Sequence, residues 1–237
     1  MQQFFDFPVV SKCTFDSFIA CSGNAAGLEL ARRISGVTDP ENLLYLYGPS
    51  GSGKTHLLTA LGHAFGTESG CFPPLVSCRA PFTPDKLISR FTGASVLLVD
   101  DLHLMPADDS LHNALWQLFN EFHSSGRKIA MSGNAPPREL PCLNDHLVSR
   151  LLWGLVARVD ASDDVSRRMI LRKIADDRQI RVPDEVVNFI LMTTSREVGN
   201  LISAFDHLYN LSMSSKRKIS LSLAREAREL FVVAASI

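Results

Sequence analysis

The sequence Gly-Pro-Ser-Gly-Ser-Gly-Lys-Thr occupies residues 48–55, directly after the apolar run 43–47 and before a segment with helical spacing at 55–61. These eight residues fit the pattern G-x-x-x-x-G-K-[S/T] in the order strand, loop, helix that a phosphate-binding loop requires. Glycines allow backbone N–H groups to converge on phosphate oxygens, and the N-terminus of a helix favours negative charge. The segment therefore predicts a nucleotide-phosphate site, with a glycine-rich turn that binds nothing as the alternative.

Two side chains of this loop have chemistry of their own. Lys54 is expected to meet the β- and γ-phosphate oxygens, and the Thr55 hydroxyl is expected to ligate Mg²⁺. The predicted nucleotide contacts are Gly48, Pro49, Ser50, Gly51, Ser52, Gly53, Lys54, Thr55 and His56. The predicted cofactors are accordingly ATP or ADP together with Mg²⁺.

An acidic pair supplies the second half of such a site. The unalternated apolar run 95–99 is typical of a strand buried on both faces of a parallel sheet, and Asp100 and Asp101 follow it. Asp100 is placed to hold the hydration shell of the metal, so Thr55 and Asp100 are the predicted metal residues. Asp101 is expected to orient or deprotonate the attacking water, with capping of the next turn as the alternative.

Strand-like and helix-like segments alternate through the first two thirds of the chain. Apolar runs predict further strands at 75–77, 128–132 and 155–159, and helical spacing predicts helices at 84–91 and 109–124. This alternation implies an α/β fold, with a parallel sheet between flanking helices.

After Asp160 the pattern becomes purely helical. Four helices are predicted at 162–178, 184–194, 197–211 and 220–232, with Ser162 and Asp184 as N-cap candidates. The predicted division is an N-terminal tail at 1–13, an αβα nucleotide-binding domain at 14–160 and a small helical lid domain at 161–237.

The composition is that of an ordinary globular protein, with 46% hydrophobic and 21% charged residues among 237. A net charge of -1 argues against a broadly basic nucleic-acid surface but leaves room for a local basic patch. Five cysteines without a Cys-x-x-Cys pair indicate neither a zinc ribbon nor a disulfide framework. Because the N-terminus lacks the order of a signal peptide and no apolar run approaches a membrane span, we expect a cytoplasmic protein without membrane contact.

Motifs along most of the chain resemble those of AAA+ ATPases, and more narrowly the ATPase domain of the bacterial initiator DnaA. The matching segments are Thr14-Phe15-Asp16-Ser17-Phe18, Ser22-Gly23-Asn24, Leu97-Leu98-Val99-Asp100-Asp101, Pro136 to Leu140, and Ser149 to Leu155. The last of them, Ser-Arg-x-x-Trp-Gly-Leu, is the most specific. The resemblance runs from Thr14 to the C-terminus and implies the AAA+ P-loop NTPase fold.

The resemblance also implies roles for single polar residues. Arg150 matches the arginine that AAA+ proteins project towards a neighbour's γ-phosphate, with a surface salt bridge as the alternative. Asn134 matches the sensor-1 position, with a turn-forming asparagine as the alternative. The predicted catalytic residues are therefore Asp101, Asn134 and Arg150. Gly199 stands where the family usually has a sensor-2 arginine, so the expected ATPase is weak or partner-dependent.

Three departures from the initiator pattern point to a narrower resemblance. The sequence ends at the lid, so sequence-specific binding of duplex DNA is not expected. The interval between Lys54 and Asp100 is shorter than in the initiator, whose extra helical insertion promotes filaments. The N-terminal residues Gln3, Phe4, Phe5 and Phe7 look like a peptide for the sliding clamp of the replicative polymerase, with a frayed apolar tail as the alternative.

Together these features are similar to those of the Hda-type regulators of DnaA. The expected function is negative control of replication initiation: Arg150 acts in trans to stimulate ATP hydrolysis by DnaA, together with the DNA-loaded clamp. Self-association is left open. The alternatives are a DnaA-related helicase loader or recruiter that binds single-stranded DNA, and a self-sufficient ATPase acting on DNA structure.

Overall fold

A computed structural model describes residues 13–36 and 39–234 of the chain. The predicted clamp-binding residues Gln3, Phe4, Phe5 and Phe7 lie outside this part. Within it, no helix combines the length and apolarity that crossing a bilayer needs.

The described strands form one parallel sheet with the order β2-β3-β4-β1-β5. The strands are β1 Leu43–Tyr47, β2 Leu75–Ser77, β3 Val96–Asp100, β4 Lys128–Gly133 and β5 Leu155–Arg158. Helix α1 Ala25–Ser35 precedes the strands, and the helices between them are α2 Lys54–Ser69, α3 Pro84–Phe91, α4 Asp109–Ser124 and α5 Asp145–Leu151. This is the α/β arrangement that the alternating pattern predicts.

Alternate residues of the central strands point into two separate cores, one on each face of the sheet. Leu43 and Tyr45 of β1 join the core beneath α3 and α4, whereas Leu44 and Leu46 join the core beneath α1 and α2. Strand β3 divides in the same way. Burial on both faces explains why these strands are continuous apolar runs rather than alternating ones.

The chain after Asp160 forms the lid, made of helices α6 Asp164–Asp177, α7 Asp184–Thr193, α8 Val198–Ser215 and α9 Leu221–Ala234. The lid has a core of its own, built from residues such as Leu171, Val187 and Phe205. A smaller cluster joins Cys21 and Ala161 to Ile170 and Val198, and so packs the lid against the base. The lid is thereby held over one edge of the sheet.

Two details of the sequence prediction are wrong at the helix starts. Helix α6 is capped by Asp163, whose carboxylate accepts a hydrogen bond from the Ser166 amide at 2.9 Å, while Ser162 bonds to Asp160 instead. Asp184 is the first residue of α7 rather than its cap, and Pro183 precedes it without a side-chain bond. Neighbouring polar residues compete for a cap, and the local pattern does not separate them.

Helices α1 and α5 have no counterpart in the sequence prediction. Helix α1 carries a usable signal, because Gly27, Leu28, Ala31 and Ile34 are buried at helical spacing. Helix α5 is seven residues long, too short for the pattern to stand out. It carries Arg150, one of the predicted catalytic residues.

Candidate functional site

The predicted phosphate loop connects β1 to α2 and is shaped by its glycines. Gly48 has φ 152°, and a Cβ there would lie 2.0 Å from the Val159 carbonyl oxygen. Gly53 has φ 103°, and a Cβ there would lie 2.8 Å from the Phe18 ring. Both positions therefore require glycine, for conformation and for space.

Lys54 is buried at the first turn of α2, with 6% of the residue exposed. Its Nζ donates to the carbonyl oxygens of Gly48 at 2.8 Å and Pro49 at 2.7 Å. Burial lowers the pKa of Lys54, while the nearby charges of Asp100 and Asp101 raise it. The ammonium is thus held inside the loop, where phosphate oxygens can replace the two carbonyls as acceptors.

Asp100 is fixed on both sides of its carboxylate. Thr55 Oγ1 donates to Oδ2 at 2.6 Å, and the Ser132 hydroxyl donates to Oδ1. This brings the two predicted metal residues, Thr55 and Asp100, into direct contact. A hydroxyl and a carboxylate are the hard oxygen donors that Mg²⁺ prefers.

The donor set fits a metal that takes its other ligands from substrate. In the part of the chain that the structure describes, no group of three or more His, Cys, Asp and Glu side chains is placed to hold a metal ion. Mg²⁺ is usually bound by one or two carboxylates together with phosphates and water. Thr55 and Asp100 would hold it in this way, and the metal would neutralise charge on the phosphates.

Asp101 adopts the left-handed conformation, φ 57°, and its carboxylate pairs with a residue that the sequence prediction missed. Arg79 Nε donates to Asp101 Oδ2 at 2.6 Å, although the Arg79 side chain is 61% exposed and that of Asp101 7% exposed. Asp101 precedes the 3₁₀ turn Leu102–Leu104 without a side-chain capping bond, so the capping alternative is wrong. The Asp101 carboxylate therefore does not cap the turn, and one of its oxygens is bonded to Arg79.

Two adjoining cavities lie between this edge of the sheet and the lid. One of about 490 Å³ is lined by loop residues 49–55 with Arg79, Asp101, His103, Asn134 and Gly199. The other, of about 270 Å³, is lined mainly by apolar residues including Phe18, Ile170, Ile174, Val198 and Ile202. They share Gly51, Ser52, Gly53 and Ile202. A polar compartment beside an apolar one suits a molecule with phosphates at one end and a flat ring at the other.

The apolar cavity was not predicted, because its walls come from distant parts of the chain. Phe18 lies before α1, Ile170 and Ile174 on α6, and Val198 and Ile202 on α8. None of these positions is unusual in its own segment. The cavity appears only when the lid packs on the base.

His56, a predicted nucleotide contact, lines the apolar cavity rather than the polar one. Its Nε2 lies 2.9 Å from the Thr14 carbonyl oxygen and 3.2 Å from Ser17 Oγ, and its ring meets Phe18 edge-on. Burial lowers the pKa of His56, which favours the neutral ring. The residue thus ties the segment 14–18 to α2 and positions Phe18 at the cavity.

Asn134 follows β4 and lines the polar cavity, as its predicted role requires. Gly199 lines the same cavity from the second position of α8. Arg196 does not substitute for an arginine there, because its guanidinium points to the Ser162 carbonyl oxygen at 3.4 Å and to Asp164 at 3.7 Å. No lid arginine is among the described residues that line this cavity, although Arg178 lines the adjoining apolar one.

Arg150 is the one predicted catalytic residue that lines neither cavity. It lies in the last turn of α5, and its guanidinium carbon is 3.9 Å from the centre of the Trp153 ring. Among the described residues, no acidic side chain pairs with it, so the alternative of a surface salt bridge is wrong. Arg150 is therefore a charged group of this chain that does not serve its own candidate nucleotide site.

Comparison with protein families identifies the two parts of the chain separately. The family of the bacterial DnaA ATPase domain matches residues 9–70 and 83–158. The family of the Hda lid domain matches residues 164–227. DnaA of Geobacter sulfurreducens is 30% identical over an alignment of 237 positions, which covers 94% of this chain and 53% of that protein. The chain spans about half the length of the curated relatives that it matches.

Solved structures agree with this assignment. Domain III of the Thermotoga maritima initiator DnaA has a TM-score of 0.78 at 25% identity, over 95% of this chain and 99% of that chain. AMPPCP-bound DnaA from Aquifex aeolicus has a TM-score of 0.70 at 21% identity, over 88% and 67%. The predicted fold is confirmed: an AAA+ αβα domain with a parallel sheet, followed by a helical lid.

Proposed function

Because this chain belongs to the family of bacterial DnaA ATPase domains, with a lid of the Hda type, we propose that it regulates replication initiation. It binds an adenine nucleotide with Mg²⁺, docks on ATP-loaded DnaA and presents Arg150 to the γ-phosphate held by that partner. Hydrolysis in the partner follows, and the initiator is inactivated. The DNA-loaded sliding clamp assists through Gln3, Phe4, Phe5 and Phe7.

The observation that carries this proposal is the placement of Arg150. Its guanidinium is away from the chain's own phosphate loop and has no acidic partner among the described residues. A permanently charged, planar guanidinium at a subunit boundary stabilises the charge that develops in phosphoryl transfer. A second molecule with a bound triphosphate is the partner that such a group fits.

The nucleotide of this chain has a supporting role in the proposal. Phosphates occupy the polar cavity around Lys54 and Thr55, and the adenine ring occupies the apolar cavity beside Phe18 and Ile174. Both cavities are walled by base and lid, so a bound nucleotide holds the two parts together. This explains why a regulator keeps a complete phosphate loop when Asp101 is occupied by Arg79.

The experiment that tests the proposal measures complex formation with DnaA from the same source, loaded either with ATP or with ADP. We expect tighter binding to the ATP form, and we expect Arg150→Ala to remove most of that difference. Equal binding to both forms, or none, would overturn the proposal. Binding of single-stranded DNA with a steep salt dependence would then favour a helicase recruiter.

Gly199 offers a gain-of-function prediction, because a Cβ at this position would meet nothing within 4 Å. Gly199→Arg places a guanidinium beside the phosphate cavity. We expect ATP affinity to rise roughly tenfold with little change for ADP, since a charge-assisted hydrogen bond contributes about 1.5–3 kcal/mol. Titration calorimetry with both nucleotides measures this. The control is Gly199→Gln, which adds a side chain without charge; equal affinities in the two variants would contradict the prediction.

Arg79 is expected to restrain this chain's own hydrolysis, because it bonds to the carboxylate of Asp101, the residue predicted to orient or deprotonate the attacking water. Arg79→Gln should raise the slow ATPase rate roughly fivefold, the equivalent of the ~1 kcal/mol of a partly exposed ion pair. Arg79→Lys keeps the charge and is the matched control. A slower rate in Arg79→Gln, measured as phosphate release, would show that Arg79 assists the phosphates instead.

A further inference from the structure

Arg150 is held by one aromatic side chain rather than by hydrogen bonds. Its guanidinium carbon lies 3.9 Å from the centre of the Trp153 ring, and its Nε is buried without a hydrogen-bond partner. A cation over the face of an indole is attracted by the ring quadrupole, and tryptophan is the strongest partner for this interaction. The contact fixes where the charge sits and leaves the N–H groups without acceptors among the described residues.

Trp153 is held by its backbone and by a neighbouring ring. The Trp153 amide donates to the Arg150 carbonyl oxygen at 3.0 Å, which closes the turn at the end of α5. The His123 ring meets the indole edge-on at 5.3 Å, and Phe119 stacks on His123 at 5.8 Å. Phe119 is fully buried in the core of the base. A row of rings therefore leads from that core to the guanidinium.

The next residue anchors this turn to the strand that precedes the phosphate loop. A Cβ on Gly154 would lie 2.4 Å from the Leu43 carbonyl oxygen, so only glycine allows this approach. Leu43 begins β1, and β1 leads to Gly48. The turn is thus braced on the rigid centre of the sheet, although the Trp153 residue is 55% exposed.

A carboxylate would orient an arginine equally well, but it would also neutralise it. Stacking orients the group and leaves its charge for an incoming anion. We propose that Trp153 is a positioning residue that holds Arg150 towards the partner's phosphate while keeping its charge free. This inference rests on the proposed function, because it names how the same arginine is presented.

The first test measures the stimulated hydrolysis of ATP on DnaA at increasing concentrations of this protein. Trp153→Leu, which keeps apolar bulk without a π face, should lower the maximal rate roughly tenfold and raise the half-saturating concentration no further than Arg150→Ala weakens the binding of ATP-loaded DnaA. Trp153→Phe should restore the rate to within about threefold of the wild type. Melting temperature and ADP affinity confirm that each variant is folded.

The second test does not depend on activity. The chain has two tryptophans, so Trp116→Phe leaves Trp153 as the single tryptophan. The ratio of quenching by iodide, an anion, to quenching by neutral acrylamide should be higher for Trp153 than for free tryptophan amide, because an unneutralised guanidinium beside the ring attracts the anion. Arg150→Gln should lower the iodide-to-acrylamide ratio about twofold at low salt, and the difference should shrink as salt rises.

The outcomes separate the inference from the function on which it rests. If Trp153→Leu stimulated hydrolysis as well as the wild type does and Arg150→Ala did not, the role of Trp153 would be overturned while the proposed function would stand. A half-saturating concentration raised further than Arg150→Ala weakens binding would also overturn it, because Trp153 would then contact the partner directly. A wild-type protein that does not stimulate hydrolysis would overturn the proposed function and the inference together. An iodide-to-acrylamide quenching ratio that Arg150→Gln leaves unchanged would show that the charge of Arg150 is not free.

Discussion

Replacing Arg150 with alanine is expected to return the hydrolysis of DnaA-bound ATP to the rate of the initiator alone. Arginine fingers contribute about 10³-fold or more to phosphoryl transfer, so this is the largest effect on rate that we expect from one substitution. The chain's own nucleotide binding should not change, because Arg150 lines neither cavity of that site. Single-turnover release of labelled phosphate from DnaA measures the rate, and calorimetry with ADP measures the binding.

Arg150→Lys is the matched control for this prediction. Lysine keeps the charge but loses the planar fork that binds phosphate oxygens and stacks on Trp153. We expect only a small part of the stimulation to survive in it. Full stimulation by Arg150→Ala would show that the arginine has no part in the reaction.

Lys54→Ala should abolish nucleotide binding by this chain. The Lys54 ammonium is buried in the loop, where it donates to the Gly48 and Pro49 carbonyl oxygens and can turn to the phosphates. Loss of its charged hydrogen bonds should weaken ADP binding by at least about 100-fold, or ~3 kcal/mol. Calorimetry measures the affinity. A thermal melt gives a second readout, because a ligand bound only to the folded state raises the melting temperature.

The control for Lys54 is Thr55→Ser, which keeps the hydroxyl that bonds to Asp100. It should bind ADP with nearly the affinity of the wild type. If Lys54→Ala bound ADP as tightly as the wild type does, residues 48–55 would not be a phosphate site. The glycine-rich turn that binds nothing would then be the correct interpretation.

The phosphate loop could be predicted because all of its parts are contiguous. A strand, a glycine-rich turn and a helix follow one another within residues 43–69, and each leaves a clear local pattern. Asp100 and Asn134 could also be predicted, because each lies at the carboxyl end of an apolar strand and parallel strands present these ends at one edge of the sheet. The structure places both there, Asp100 on Thr55 and Asn134 on the polar cavity.

The residues that were missed owe their place to packing between distant segments. Arg79 lies in the loop between β2 and α3 and pairs with Asp101, which follows β3. In the sequence it looks like an ordinary surface arginine. Phe18 and Ile174 meet at the apolar cavity although the lid follows the base in the chain. The periodicity of the sequence does not predict such contacts, because they depend on how the separate cores of base and lid pack together.

Arg150 could be predicted only in part. Its motif could be found in the sequence, and the resemblance named its role. Its setting could not be found, because α5 is short and the support from His123 comes from another helix. The role in trans stays a prediction, whereas the isolation of Arg150 from its own site is a property of the fold.

We propose that this chain makes DnaA hydrolyse its ATP. The most direct measurement loads DnaA from the same source with ATP labelled at the γ-phosphate, loads this protein with unlabelled ADP, and follows the release of labelled phosphate with and without clamp on DNA. We expect rapid release that requires this protein and is strongest with the loaded clamp. Release at the rate of DnaA alone, with this protein folded and bound to ADP, would contradict it.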